Sequence, residues 1–181
     1  PQVQAPRAGS KAASAASSGD LFPSADMCPY DLLRHEPGES VRRVALAPDQ
    51  SFVVTSSYDP TAKIWSGTTF DLLATLQHPD TVFYTAVAPD ASFVVTCSFD
   101  NTAKAWSKAS GWGWLADLVH DASVNWADVA PDGTFVVTAS DDTTAKVWST
   151  SGWGLLATLS SHTSWVICVA VAPDGSYVAT A

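Results

Sequence analysis

Short runs of Val, Phe, Thr and Trp alternate with Pro-Asp, Ser-Asp and Gly-containing turns along most of this chain. Branched and aromatic side chains suit a pleated, half-buried surface, and such runs bounded by turn residues read as strands. Between residues 124 and 159 the pattern predicts strands near 124–130, 135–139, 144–148 and 154–159. The first two are joined by Pro131-Asp132-Gly133, which suits a tight turn because Pro fixes φ and Gly tolerates positive φ. No window sustains an apolar residue every three to four positions, so the expected class is all-β.

The pattern recurs. Ala-Pro-Asp occurs at 47–49, 88–90, 130–132 and 172–174, with its prolines 41, 42 and 42 residues apart. Each triplet precedes an apolar run: Phe52-Val53-Val54-Thr55, Phe93-Val94-Val95-Thr96, Phe135-Val136-Val137-Thr138 and Tyr177-Val178-Ala179-Thr180. Three copies continue into Asp-x-Thr-Ala-Lys-x-Trp, at 59–65, 100–106 and 142–148. Four short antiparallel strands repeating every 41 or 42 residues match the arithmetic of a β-propeller blade.

The chain has four histidines, His35, His78, His120 and His162, each between the last strand of one repeat and the first of the next. With these in place the sequence resembles the WD-repeat β-propeller family over about residues 29–181. The resemblance implies a hydrogen-bonded tetrad in each blade: His from the inter-blade loop, Thr from the second strand, Asp from the following turn, Trp from the third strand. Matched residue by residue, these are His35, Thr55, Asp59 and Trp65; His78, Thr96, Asp100 and Trp106; and His120, Thr138, Asp142 and Trp148. The fourth repeat contributes His162 and Thr180. The chain departs from the family pattern at two places. Ser66, Ser107 and Ser149 follow the Trp where Asp is usual, and Arg34, Gln77, Val119 and Ser161 precede the His where Gly is usual.

A hydroxyl, an imidazole and a carboxylate in proximity can form a nucleophilic triad. Their recurrence in equivalent copies points instead to a structural network that satisfies buried polar groups. No catalytic residue, metal site or cofactor is therefore expected. Lys63, Lys104 and Lys146 share one strand position and mark the repeat, and Cys28, Cys97 and Cys168 have no metal-ligand spacing. Arg34, Arg42 and Arg43 form the one local basic cluster, read as a solvated loop, with an acidic-peptide contact as the alternative. Trp112 and Trp153, each between two glycines, are expected to pack the outermost strand against its blade.

The resemblance implies protein or peptide docking at the rim of the central channel. Positions at fixed offsets from each Pro face that rim, and they vary between repeats where the scaffold hardly changes. One set is Arg42, Phe83, Asn125 and Ile167; Tyr58, Phe99 and Asp141 precede the tetrad Asp; Trp165 flanks the first strand of the fourth repeat. Aromatic residues and Arg dominate interface energetics. A regulatory module of a larger signalling protein is the alternative, and a propeller enzyme a third reading.

Charge and length refine this picture. With 18 acidic against 9 basic residues the formal net charge is −9, which argues against phosphate-driven nucleic-acid binding and favours partners with basic patches. The longest apolar stretch, residues 165–172, is too short to span a bilayer. Sparse cysteines suggest a reducing compartment, the cytoplasm. Residues 1–28 open with an Ala/Ser/Pro-rich segment and are expected to be a disordered linker. Next comes a trailing outer strand at 29–34, then blades at about 40–77, 81–119, 123–160 and a truncated one at 164–181. Seven such blades would need roughly 290 residues. The expectation is thus an incomplete propeller, a fragment of a longer ring or one of two chains that associate to complete it.

Overall fold

The computed structural model describes residue 35 and residues 39–181, all within one structural unit, Leu33–Ala181. The expected linker and the trailing strand at 29–34 lie outside the described residues. Three four-stranded antiparallel sheets and one two-stranded sheet follow each other along the chain, each with its strands in sequence order. The first contains β1 (Val41–Leu46), β2 (Phe52–Ser57), β3 (Thr61–Ser66) and β4 (Leu72–Gln77). The second contains β5 (Val82–Val87), β6 (Phe93–Ser98), β7 (Thr102–Ser107) and β8 (Gly113–Val119). The third contains β9 (Val124–Val129), β10 (Phe135–Ser140), β11 (Ala145–Ser149) and β12 (Leu155–Leu159). β13 (Val169–Val171) and β14 (Val178–Thr180) form the last pair. These are the expected blades of an incomplete propeller. The only helical element among the described residues is a single 3-10 turn, Lys108–Ser110.

The Ala-Pro-Asp triplets make the turn into each second strand. In the first, Gln50 N donates to Ala47 O at 2.8 Å, and Asp49 Oδ1 accepts from both the backbone N (2.9 Å) and the hydroxyl (2.6 Å) of Ser51. The residue after each Asp is left-handed: Gln50 at φ 59°, Ala91 at 58°, Gly133 at 72° and Gly175 at 73°. Gly67 closes against this turn, and a Cβ there would lie 1.9 Å from Gln50 O. No side chain fits.

Strands β2 and β6 are buried along their whole length. Each sheet also covers the next one's first strand: Val82 and Thr85 on β5 are buried, whereas their counterparts Val41 and Val44 on β1 are exposed. Trp112 and Trp153 correct the expectation that they pack against their own blade. Trp112, which leads into β8, meets Phe52 of the preceding sheet edge-on; Trp153, which leads into β12, does the same to Phe93. Both Trp residues have positive φ, 69° and 59°. That left-handed bend turns the ring off its own sheet and across the junction. Lys108 reinforces the first junction, with Nζ 2.7 Å from Ser51 Oγ and 5.2 Å from the Phe52 ring centroid.

Candidate functional site

The tetrad residues come together in each complete blade. In the second, Trp106 Nε1 donates to Thr96 Oγ1 at 2.8 Å, Thr96 Oγ1 lies 2.7 Å from His78 Nε2, and His78 Nδ1 lies 2.8 Å from Asp100 Oδ2. The carboxylate can only accept, so Nδ1 carries the proton and Nε2 accepts from the Thr hydroxyl. Hydrogen bonds therefore run in one direction, Trp to Thr to His to Asp. In the same order, Trp65, Thr55, His35 and Asp59 repeat the arrangement at 2.8, 2.7 and 2.9 Å, and Trp148, Thr138, His120 and Asp142 at 2.8, 2.7 and 2.8 Å. His162 Nε2 lies 2.8 Å from Thr180 Oγ1.

Burial pushes the His35 and His120 imidazoles below their ordinary pKa, against the opposing pull of Asp59 and Asp142. Burial would raise Asp142, but Thr144, the Asp121 backbone N–H and His120 donate to it and hold it well below the usual carboxylate range. The Thr55, Thr96 and Thr138 side chains have no accessible surface. These buried hydroxyls tie the inter-blade loop to the second strand.

The variable positions converge at the start of each inner strand, beside the turn that carries the tetrad Asp. β1 pairs with β2 through a bulge between Val41 and Arg43. β5 carries the same irregularity between Val82 and Tyr84, and β9 pairs Val124 and Trp126 with consecutive residues of β10. The extra residues are Arg42, Phe83 and Asn125. In the fourth repeat Ile167 N and Cys168 N both donate to Ala181 O, at 2.8 and 3.2 Å, the same two-against-one pattern. A bulge re-aims a side chain and breaks the inside-outside alternation. Two consecutive residues in each of the first three repeats therefore face the same space.

The bulge residues touch their own blade and the next. Arg42 places its guanidinium 4.8 Å from the Tyr58 ring centroid and 4.3 Å from that of Phe83 in the next sheet. Phe83 stacks on Phe99 at 5.1 Å. Asn125 Nδ2 donates to Asp141 Oδ1 at 2.6 Å and to Val166 O at 3.2 Å. Beside this row runs a second that the sequence reading did not place at the rim. Arg43 sits 4.5 Å over the Tyr84 ring and donates to its hydroxyl at 2.9 Å, and Tyr84 stacks on Trp126 at 3.9 Å. The Tyr84 phenol is pushed up to about 12 by burial, with Arg43 opposing, so it stays neutral and accepts. The signal was available: Arg43, Tyr84 and Trp126 also vary at the repeat spacing. Strict alternation would have sent them to the opposite face.

The loop reading of Arg42 and Arg43 is corrected: both are on β1, where they remain exposed and lie over aromatic faces that the bulge brings beneath them. The two rows line one cavity of about 550 Å³, completed by Phe99, Asp141, Trp165 and Ile167. Trp165 and Ile167 are 65% and 59% exposed. Tyr58 lies outside the cavity wall, beneath Arg42. Lys104 and Lys146 are engaged elsewhere, by Asp117 Oδ1 at 2.7 Å and Val119 O at 2.9 Å. Among the described residues no group of three His, Cys, Asp or Glu side chains could hold a metal ion.

The sequence model of the family described as "WD domain, G-beta repeat" matches four segments, residues 27–66, 70–107, 115–149 and 153–181. No curated protein matches the chain.

Proposed function

This chain belongs to the WD-repeat family, whose repeats generally mediate protein–protein interaction, and from that premise we propose that it is a non-catalytic scaffold that binds a protein or peptide at its rim. One observation carries the reading. The positions that differ between repeats, Arg42, Phe83, Asn125 and Ile167 with Phe99, Asp141 and Trp165, line one cavity, while the repeated Thr-His-Asp-Trp networks are spent on holding the blades. A cleft with aromatic walls and a few fixed polar groups is built for recognition. The acidic surface elsewhere attracts partners with basic patches at long range, while contact at the rim is set by the residues present there.

The test replaces Trp165 and Arg42 together by Ala and compares the proteins captured by the variant and by the parent chain, identified by mass spectrometry. The reading expects the folded variant to lose specific partners. An unchanged set of partners on a variant with an unchanged melting profile would remove the site.

A further inference from the structure

We propose that the rim cavity takes an extended acidic peptide of a partner protein: a Glu or Asp carboxylate sits on the guanidinium edges of Arg42 and Arg43, and an apolar side chain further along packs on Trp165 and Ile167. The proposal rests on the rim reading above and specifies its ligand.

The charge at this site is opposite to that of the chain. In a protein of net charge −9, two of the nine basic residues are adjacent on β1 and face one cavity. Both guanidiniums are fixed by their faces. Arg42 lies over Tyr58 and Phe83, and Arg43 over Tyr84 and, at 5.6 Å, Trp126. A guanidinium stacked in this way keeps its N–H donors in its plane, directed outward at the edge. Arg43 spends one donor on the Tyr84 hydroxyl, and Arg42 has neither hydrogen bond nor carboxylate among the described residues. Two planar forks held in place without a counter-ion match a carboxylate, whose two oxygens accept paired N–H bonds.

The rest of the cavity gives the peptide a direction. Asp141 is already committed to Asn125 at 2.6 Å, and beyond it the exposed Trp165 and Ile167 offer apolar surface. A peptide running from the first blade towards the fourth therefore meets cationic edges first and an apolar anchor last. A Lys-rich segment is repelled at the first step. The attraction of the acidic exterior for such a segment is screened over about 8 Å at physiological salt, whereas contact with Arg42 and Arg43 is direct.

The test is selection of a randomised, extended decapeptide library on the full chain, followed by titration of the selected peptides by fluorescence anisotropy. The proposal expects enrichment of Asp or Glu at a fixed spacing from an apolar residue, on one side of it. It expects the Glu→Gln version of a selected peptide to bind the unmodified protein about tenfold more weakly or worse. Arg42→Gln with Arg43→Gln should erase that difference, and Arg42→Lys with Arg43→Lys should restore it in part. The Glu→Gln comparison uses the parent protein, so it stands even where a variant fails to fold. Selected peptides without acid enrichment, or Gln versions that bind equally well, overturn the acidic ligand; if Trp165→Ala still abolishes their binding, the rim reading survives. If no peptide is selected, or binding ignores Trp165→Ala, both readings fall.

Discussion

The indole of Trp112 meets the ring of Phe52 edge-on across a sheet junction, with centroids 4.6 Å apart and planes at 70°. Both rings are buried and belong to different sheets, so the pair couples one blade to the next. Trp112→Ala should destabilise the protein by about 3–5 kcal/mol, the usual cost of truncating a buried large aromatic. Trp153→Ala should cost less, because Trp153 is only partly buried. Urea unfolding of both variants checks the order. A Trp112→Ala protein as stable as the parent would mean that the junction is held without this contact.

The tetrad makes a second claim that depends on one hydroxyl. Thr96 Oγ1 serves both Trp106 Nε1 and His78 Nε2. Thr96→Val leaves the two nitrogens buried without partners and should cost about 2–4 kcal/mol. Thr96→Ser keeps the oxygen and should cost about 1 kcal/mol or less, the value of a lost methyl. The midpoints of denaturant unfolding separate the two. Equal losses in Val and Ser variants would assign the cost to packing and not to the network.

Backbone geometry gives a stabilising change. Gln50 is exposed and adopts φ 59°, while the equivalent positions Gly133 and Gly175 are glycines. A left-handed non-Gly residue carries roughly 1–2 kcal/mol of steric cost, partly offset by the added freedom of Gly in the unfolded chain. Gln50→Gly should therefore raise the melting temperature slightly, and Gly133→Ala should lower it. Differential scanning calorimetry resolves both signs. A fall in the first variant would show that the Gln50 side chain contributes more than the strain removes.

These outcomes also show what could be read from the sequence. The blades were legible because spacing, turn residues and strand runs repeat; the strands near 135–139 and 154–159 are observed at 135–140 and 155–159. The rim was legible in half. Arg42, Phe83 and Asn125 stand out as variable positions, but a bulge adds one residue to a strand and carries no residue signature of its own. Arg43, Tyr84 and Trp126 consequently fell on the wrong face of an alternating pattern. The same holds for Trp112, whose flanking glycines announce a bend but not the neighbour that the ring reaches across a junction. Such contacts between repeats leave no local trace, because neither partner's surroundings in the sequence differ from an ordinary turn.

Acid should loosen the protein in two steps of the same sign. His35 and His120 are held below 6.5 by burial despite their aspartate partners. Between the folded pKa and 6.5 the unfolded chain therefore binds more protons than the folded one. Stability must fall as pH drops through that interval, and this loss begins between about pH 7 and 5. Asp100 and Asp142 also sit below their ordinary value of 3.8; burial opposes the shift, but His78 and Thr102 at the first and Thr144, the Asp121 N–H and His120 at the second outweigh it. Their contribution is complete above 3.8 and is lost as pH falls through the lower folded values. Melting temperatures measured at intervals from pH 7.5 to 3 should decline over both ranges. Replacing His35 and His120 by Gln should flatten the upper segment and leave the lower one, because Gln has no proton to gain there. A melting temperature that held or rose between pH 7 and 5 would mean that the buried imidazoles carry charge in the folded blades, and the hydrogen bonds would then have to run from His Nε2 to Thr.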